Sequence, residues 1–218
     1  MKNIIKLIHR TLFMTLLPLC LFTQCCRIIN IVGVRTHFER DLSEAEKQKV
    51  VWTTEDKSIC DLENDSLVYA VSGEQLKNCI KQYDKVLVYY WDPHCSADAC
   101  HPLSAMQYFC DEHGMEFFVV TEYFWDCFSQ IGSLKSHPLL VANERHYGTD
   151  KCRKLDELFF TDLIGKENYG KNKEISWYRY VYFEHGDFMK FINADGLLVN
   201  AREKWNLVDW PTNLRDGY

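Results

Sequence analysis

The stretch "VYYWDPHCSADACHP", residues 88–102, places Cys95 and Cys100 with His94 and His101 inside eight consecutive positions. Two thiols that close in sequence can exchange a disulfide with another molecule, hold a metal ion as thiolates, or staple their own loop. A thiol reacts as the thiolate, and a helix N-terminus lowers its pKa through the macrodipole and the free amides. The start of the following helix therefore decides which sulfur is activated. Pro102 is tolerated only within a first turn. With Asp98 as N-cap, Ala99 is the first helical residue, Cys100 the second and Pro102 the fourth. On that reading Cys100 lies nearest the amides, and Cys95 sits in the loop before them. Asp98 opposes ionisation of both sulfurs, while His94 and His101 favour it when protonated.

Zinc takes four ligands in a tetrahedron, usually from two separated pairs. Adjacent residues on one tight loop supply that poorly. Two loop thiolates with a distant histidine suit copper better; His137, His146 and His185 are the available histidines, with His137 the chosen third ligand. No Gly-rich phosphate loop or Ser-His-Asp order stands out, and no cofactor is expected.

The elements that would carry this loop are legible on both sides. "KVLVYYW" is a nearly continuous apolar run, as in a central strand covered on both faces. Before it, "SLVYAV" reads as a strand, and Ser72 with Gln75 forms a capping box that opens a helix with Leu76, Cys79, Ile80 and Tyr83 on one face. After it, "PLSAMQYFCDEHG" has helical spacing with Gly114 as the stop, and "MEFFVVTEYFW" is a second buried strand. "HPLLVAN" reads as a further strand. "TDKCRKLDELFFTDLIG" is a helix with Cys152, Leu155, Phe159 and Leu163 inward, "GKENYGKNKE" a loop, and "WYRYVYFEHGDFMKFI" a hairpin turning at Gly186. The alternation of strands and helices predicts an α/β fold with a central mixed sheet and helices on both faces, the dithiol loop at the carboxyl end of a central strand.

This order resembles the thioredoxin-like fold over roughly residues 66–193. The most specific piece is "KVLVYYWDPHC", an apolar strand ending in Trp91 with Cys95 four residues later. The closing "YVYFEHGDFMKF" is similar to the family's terminal hairpin. The resemblance implies Cys95 as the attacking thiol and Cys100 as the resolving one, although helix geometry allows the exchange of these roles. The spacing departs from the family's Cys-x-x-Cys, with four residues between the cysteines. The family also places a cis-proline at the start of the hairpin's first strand, where this sequence has Trp177 or Tyr178. Pro138 takes that role if the helix after it is an insertion; if "HPLLVAN" is instead an earlier strand, the cis-proline is missing.

Residues 1–25 carry Lys2, Lys6 and Arg10 without any acid, then an apolar stretch, in the manner of an export signal. "LFTQC" resembles the lipobox of bacterial lipoproteins, which implies Cys25, or Cys26 beside it, as a lipidated anchor on the periplasmic side of the cell envelope. Residues 26–65 read as a polar tether with one short helix around "SEAEKQKVV", where Ser43 and Glu46 fit a capping box, and the tail from 201, with Trp205 and Trp210, as packing on the domain. Without the leader's three basic residues the formal charge of −6 becomes −9, which argues against nucleic-acid binding. The expected partners are exported proteins with cysteines.

An exported location permits disulfides. Seven of the ten cysteines fall in the presumed globular part, an odd number that leaves at least one unpaired. Cys79, Cys110 and Cys152 read as buried thiols on helix faces, and Cys127, after a strand end, as a possible partner for Cys60.

Overall fold

The apolar run at Lys85–Trp91 becomes the strand on which a seven-stranded sheet is built. In chain order the strands are β1 (Val50–Trp52), β2 (Val68–Val71), β3 (Lys85–Trp91), β4 (Glu116–Thr121), β5 (Leu139–Ala142), β6 (Tyr180–Glu184) and β7 (Asp187–Ile192). They lie side by side as β1-β2-β5-β4-β3-β6-β7. The five strands from β1 to β3 run parallel, β6 is antiparallel to β3, and β7 is antiparallel to β6. The helices are α1 (Phe38–Asp41), α2 (Glu44–Lys47), α3 (Gly73–Ile80), α4 (Leu103–Glu112), α5 (Glu144–Tyr147), α6 (Cys152–Ile164) and α7 (Lys166–Lys171), with a 3-10 segment at Cys127–Ser133. The computed structural model describes residues 34–95, 100–121, 123–171 and 180–192, all but Val34 within a unit that begins at Arg35.

Side chains alternate across the sheet with period two, and each face is covered. On one face Leu87, Tyr89 and Trp91 of β3 join Phe117 and Val119 of β4 under Leu103, Met106 and Phe109 of α4. On the other, Val86, Val88 and Tyr90 join Phe118 and Val120 under Leu76 and Ile80 of α3 and Leu155, Phe159 and Leu163 of α6. The α/β class with helices on both faces thus follows from the sequence pattern. Both capping boxes form, Ser43 with Glu46 and Ser72 with Gln75. The final hairpin turns through His185 and Gly186 at φ 50° and 82°, the two left-handed positions of a type I′ turn.

Four expectations change. The segment read as a tether is built into the domain from residue 35: Phe38, Leu42, Ile59 and Leu62 are buried, and Val50–Trp52 pairs with β2 as an edge strand. Residues 166–171 form a helix rather than a loop. Cys79 is bonded to Cys60, their Cα atoms 5.3 Å apart; closing that loop contributes about 3 kcal/mol on a chain-entropy model. Helix α4 begins at Leu103, with Pro102 itself as the N-cap residue, so Cys100 stands before the helix instead of in its first turn. Asp98, the expected cap, lies outside the described residues. So do residues 1–33, with Cys25, and residues 193–218, with Trp205 and Trp210. Among the described residues no helix is long and apolar enough to cross a membrane.

Candidate functional site

The carboxyl end of β3 positions the cysteines. Trp91 closes the strand with its side chain buried on the α4 face. Asp92 then pins the chain three ways. Its side chain accepts the His94 N–H at 2.8 Å and the Tyr123 hydroxyl, and its carbonyl accepts the Cys95 N–H at 3.2 Å. Cys95 and Cys100 are joined as a disulfide with Cα atoms 5.9 Å apart, both partly exposed.

On the far side of the pair, two buried tyrosines hold His101. The Tyr180 hydroxyl lies 2.8 Å from Nδ1 of the ring, and the Tyr89 hydroxyl donates to the His101 carbonyl at 3.3 Å. The tyrosine rings stack with centroids 4.5 Å apart. Burial raises the Tyr180 phenol well above its ordinary pKa, so it stays a neutral hydrogen-bonding group. On the near side His94 stacks on Trp125 at 3.8 Å, with Tyr123 beyond at 6.2 Å.

The other described thiols lie in the core. Cys110, Cys127 and Cys152 are buried and unbonded to another cysteine, and Cys127 takes no part with Cys60. Burial pushes the Cys110 thiol up, and that of Cys127 up to about 12, so both are protonated at neutral pH and are poor nucleophiles. The Cys60–Cys79 bond has one sulfur in the core, since Cys79 is 3% exposed. Among the described residues, the loop pair is the disulfide with both cysteines partly exposed.

Pro138 and His137 are placed elsewhere. "HPLLVAN" becomes β5 inside the parallel part of the sheet, with β4 between it and β3. Pro138 therefore leads into β5 rather than into the hairpin, and its peptide bond is trans. Trp177 and Tyr178, which precede β6, lie outside the described residues. His137 bonds Glu116 at the first residue of β4, Nε2 to Oε2 at 3.0 Å, and stacks on Phe118. Glu116 is level with Val86, five residues or about 16 Å along β3 from Trp91. His137 is thus at the opposite end of the strands from the sulfurs and cannot complete a copper site with them. Among the described residues no three His, Cys, Asp or Glu side chains cluster to hold a metal ion.

No family model, curated protein or solved structure matches this chain.

His137 has a measurable consequence of its own. Burial lowers its pKa below the ordinary histidine value, against the opposing pull of Glu116. The unfolded chain then takes up this proton first as the pH falls, so the folded state loses stability through the ordinary histidine range near about 6.5. His137→Phe keeps the ring stacked on Phe118. The drop in urea midpoint between about pH 7.5 and about pH 5.5 is expected to be smaller in this variant than in the natural protein.

In the sequence the aromatics of "EYFW" and "WYRYVYF" read as sheet core and rim, with an exposed subset able to form an apolar collar around the dithiol. The sequence did not single out Tyr123, Trp125 or Tyr180, because which aromatic faces the loop depends on strand register and on the left-handed turn at Asp126, φ 58°.

Proposed function

We propose that this chain is a thiol–disulfide oxidoreductase of the cell envelope that acts on exported proteins through Cys95 and Cys100. The observation that carries the reading is the setting of the pair: a partly exposed disulfide in the loop between the central strand β3 and helix α4, while the other described cysteines have at least one sulfur in the core. Two further features support it. The strands β4-β3-β6-β7, parallel then twice antiparallel, have the arrangement expected of the thioredoxin-like fold, although β5 rather than an earlier strand lies beside β4. The lipobox-like "LFTQC" supports anchoring through Cys25, which would bring the domain to exported substrates.

In the reducing direction, the Cys95 thiolate attacks one sulfur of a substrate disulfide, forms a mixed disulfide and releases the other sulfur as a thiolate. Cys100, deprotonated, then attacks Sγ of Cys95, closes the Cys95–Cys100 bond and releases the second substrate thiolate. Two electrons pass to the substrate and its two thiolates take protons from solvent. Reversal oxidises a substrate dithiol.

A second reading, a non-enzymatic binding protein with a structural Cys95–Cys100 staple, is favoured by one observation: α4 starts at Leu103, which leaves Cys100 outside its first turn. Redox titration with thiol trapping separates the two. An exchanging pair is expected to open within the range of cellular thiol buffers, whereas a staple stays closed down to about −300 mV. A pair that remains oxidised there sinks the enzyme reading.

A further inference from the structure

The exchange as written makes no use of the aromatic group on the Cys95 side of the loop. Trp125 is 50% exposed, whereas its neighbour Phe124 is fully buried and so is Cys127. The backbone explains the contrast. Phe124 donates its N–H to the Thr36 carbonyl at 2.9 Å and sends its ring between Phe38 and Trp52. Asp126, left-handed at φ 58°, then turns the chain so that Cys127 enters the core. With 124 and 127 both inward, Trp125 is directed outward.

The indole is nevertheless held in place. It lies on the His94 ring at 3.8 Å with 29° between the planes, and Tyr123 flanks the same histidine. His94 is the residue before Cys95, and its own N–H is fixed by Asp92. Leaving so much indole in water forgoes hydrophobic stabilisation. A flat apolar face stacked on the residue before an accessible disulfide cysteine is suited to a ring or alkyl group on whatever approaches that sulfur.

We infer that Trp125, backed by His94, is a specificity-determining residue that takes the apolar or aromatic side chain flanking the reacting cysteine of a polypeptide substrate. The inference rests on the proposal that Cys95 and Cys100 exchange disulfides with polypeptides. Neighbouring side chains in an extended peptide are spaced by about 3.3 Å per residue, so a residue beside the cysteine can reach a ring stacked on His94, the residue before Cys95. A small thiol has no such side chain and gains nothing from the indole.

The test uses the detergent-solubilised full chain, two reduced peptides of equal length with Phe or Gly beside a single cysteine, and dithiothreitol. In each reaction the probe thiolate attacks Sγ of Cys95, breaks the Cys95–Cys100 bond and releases the Cys100 thiolate, which takes a proton from solvent. The Phe peptide is expected to react about fivefold faster than the Gly peptide. Trp125→Ala should abolish that preference and leave the dithiothreitol rate unchanged, and Trp125→Phe should keep part of it. Retention of the preference in Trp125→Ala, or an equal loss towards dithiothreitol, overturns the inference. Failure of dithiothreitol to open the pair in the natural protein is a failure of the exchange reading instead. A serine form of the Phe peptide then decides separately: a shift of the Trp125 indole N–H signal on its addition supports the docking role, and no shift refutes it.

Discussion

Replacing Cys100 by serine is expected to trap a covalent adduct between Cys95 and a disulfide-bearing substrate, whereas Cys95→Ser abolishes exchange by at least about a thousandfold. The two variants differ because the steps are sequential. Without Cys100 the mixed disulfide on Cys95 has no internal thiol to resolve it; without Cys95 it does not form. Cys95 follows β3 on a turn held by Asp92, and Cys100 precedes α4 with its neighbour His101 tied to Tyr180. Neither sulfur therefore has the helix amides that would single it out, and the assignment of attack to Cys95 comes from its place after Trp91. Non-reducing gels with mass spectrometry of the adduct read the outcome directly. An adduct on Cys100 in the Cys95→Ser protein exchanges the two roles, and absence of adduct from both variants removes the exchange mechanism.

The largest effect on stability is expected at Gly73, the first residue of α3. An exposed helical Gly→Ala change normally stabilises by about 0.5–1 kcal/mol. Here a Cβ would collide with the Phe159 carbonyl oxygen and stand 2.9 Å from the Leu163 amide nitrogen, both backbone atoms of α6. Backbone cannot swing aside as a side chain can, so α3 and α6 must separate along the interface that buries Leu76, Phe159 and Leu163. Separation would also strain the bond from the Gly73 N–H to the Tyr147 hydroxyl, 2.9 Å. Gly73→Ala is expected to lose roughly 3 kcal/mol. Gly170 in α7 has nothing within 4 Å of a built Cβ, and Gly170→Ala should be neutral or stabilising. Urea midpoints of the two variants give opposite signs if the close approach is the cause, and similar values if it is not.

The sheet core was legible because its signals are local. The apolar run of β3, the Ser72–Gln75 box, the spacing of Leu155, Phe159 and Leu163, and the positive φ wanted at Gly186 each act within a few residues. What stayed hidden depends on distant partners. Val50–Trp52 is three residues in a polar segment and becomes a strand only because β2 offers its edge. Cys79 has the surroundings of a buried thiol, and nothing nearby points to Cys60 across the loop. Proline fits anywhere in a first turn, and Pro102 sits one position outside it, so the start of α4 falls later than the proline alone suggests. That shift changes the candidate site most, since it takes the helix amides away from Cys100.

The insertion of β5 between β2 and β4 also sets an order of assembly. All four of its residues pair with β2 on one side, and Leu140 and Val141 pair with β4 on the other. As the chain emerges from the ribosome, β1 with β2 and β3 with β4 are complete some twenty to seventy residues earlier, yet neither pair has a partner in the other. Residues 139–142 must arrive, and pass between them, before a continuous sheet exists. The sequence separations involved are large, so closing this gap carries the loop entropy that slows folding of non-local sheets. Until then the strands on either side expose unpaired edges. A nascent chain halted short of residue 139 would therefore hold the loop of Cys95 and Cys100 on a half-sheet whose far edge is still open.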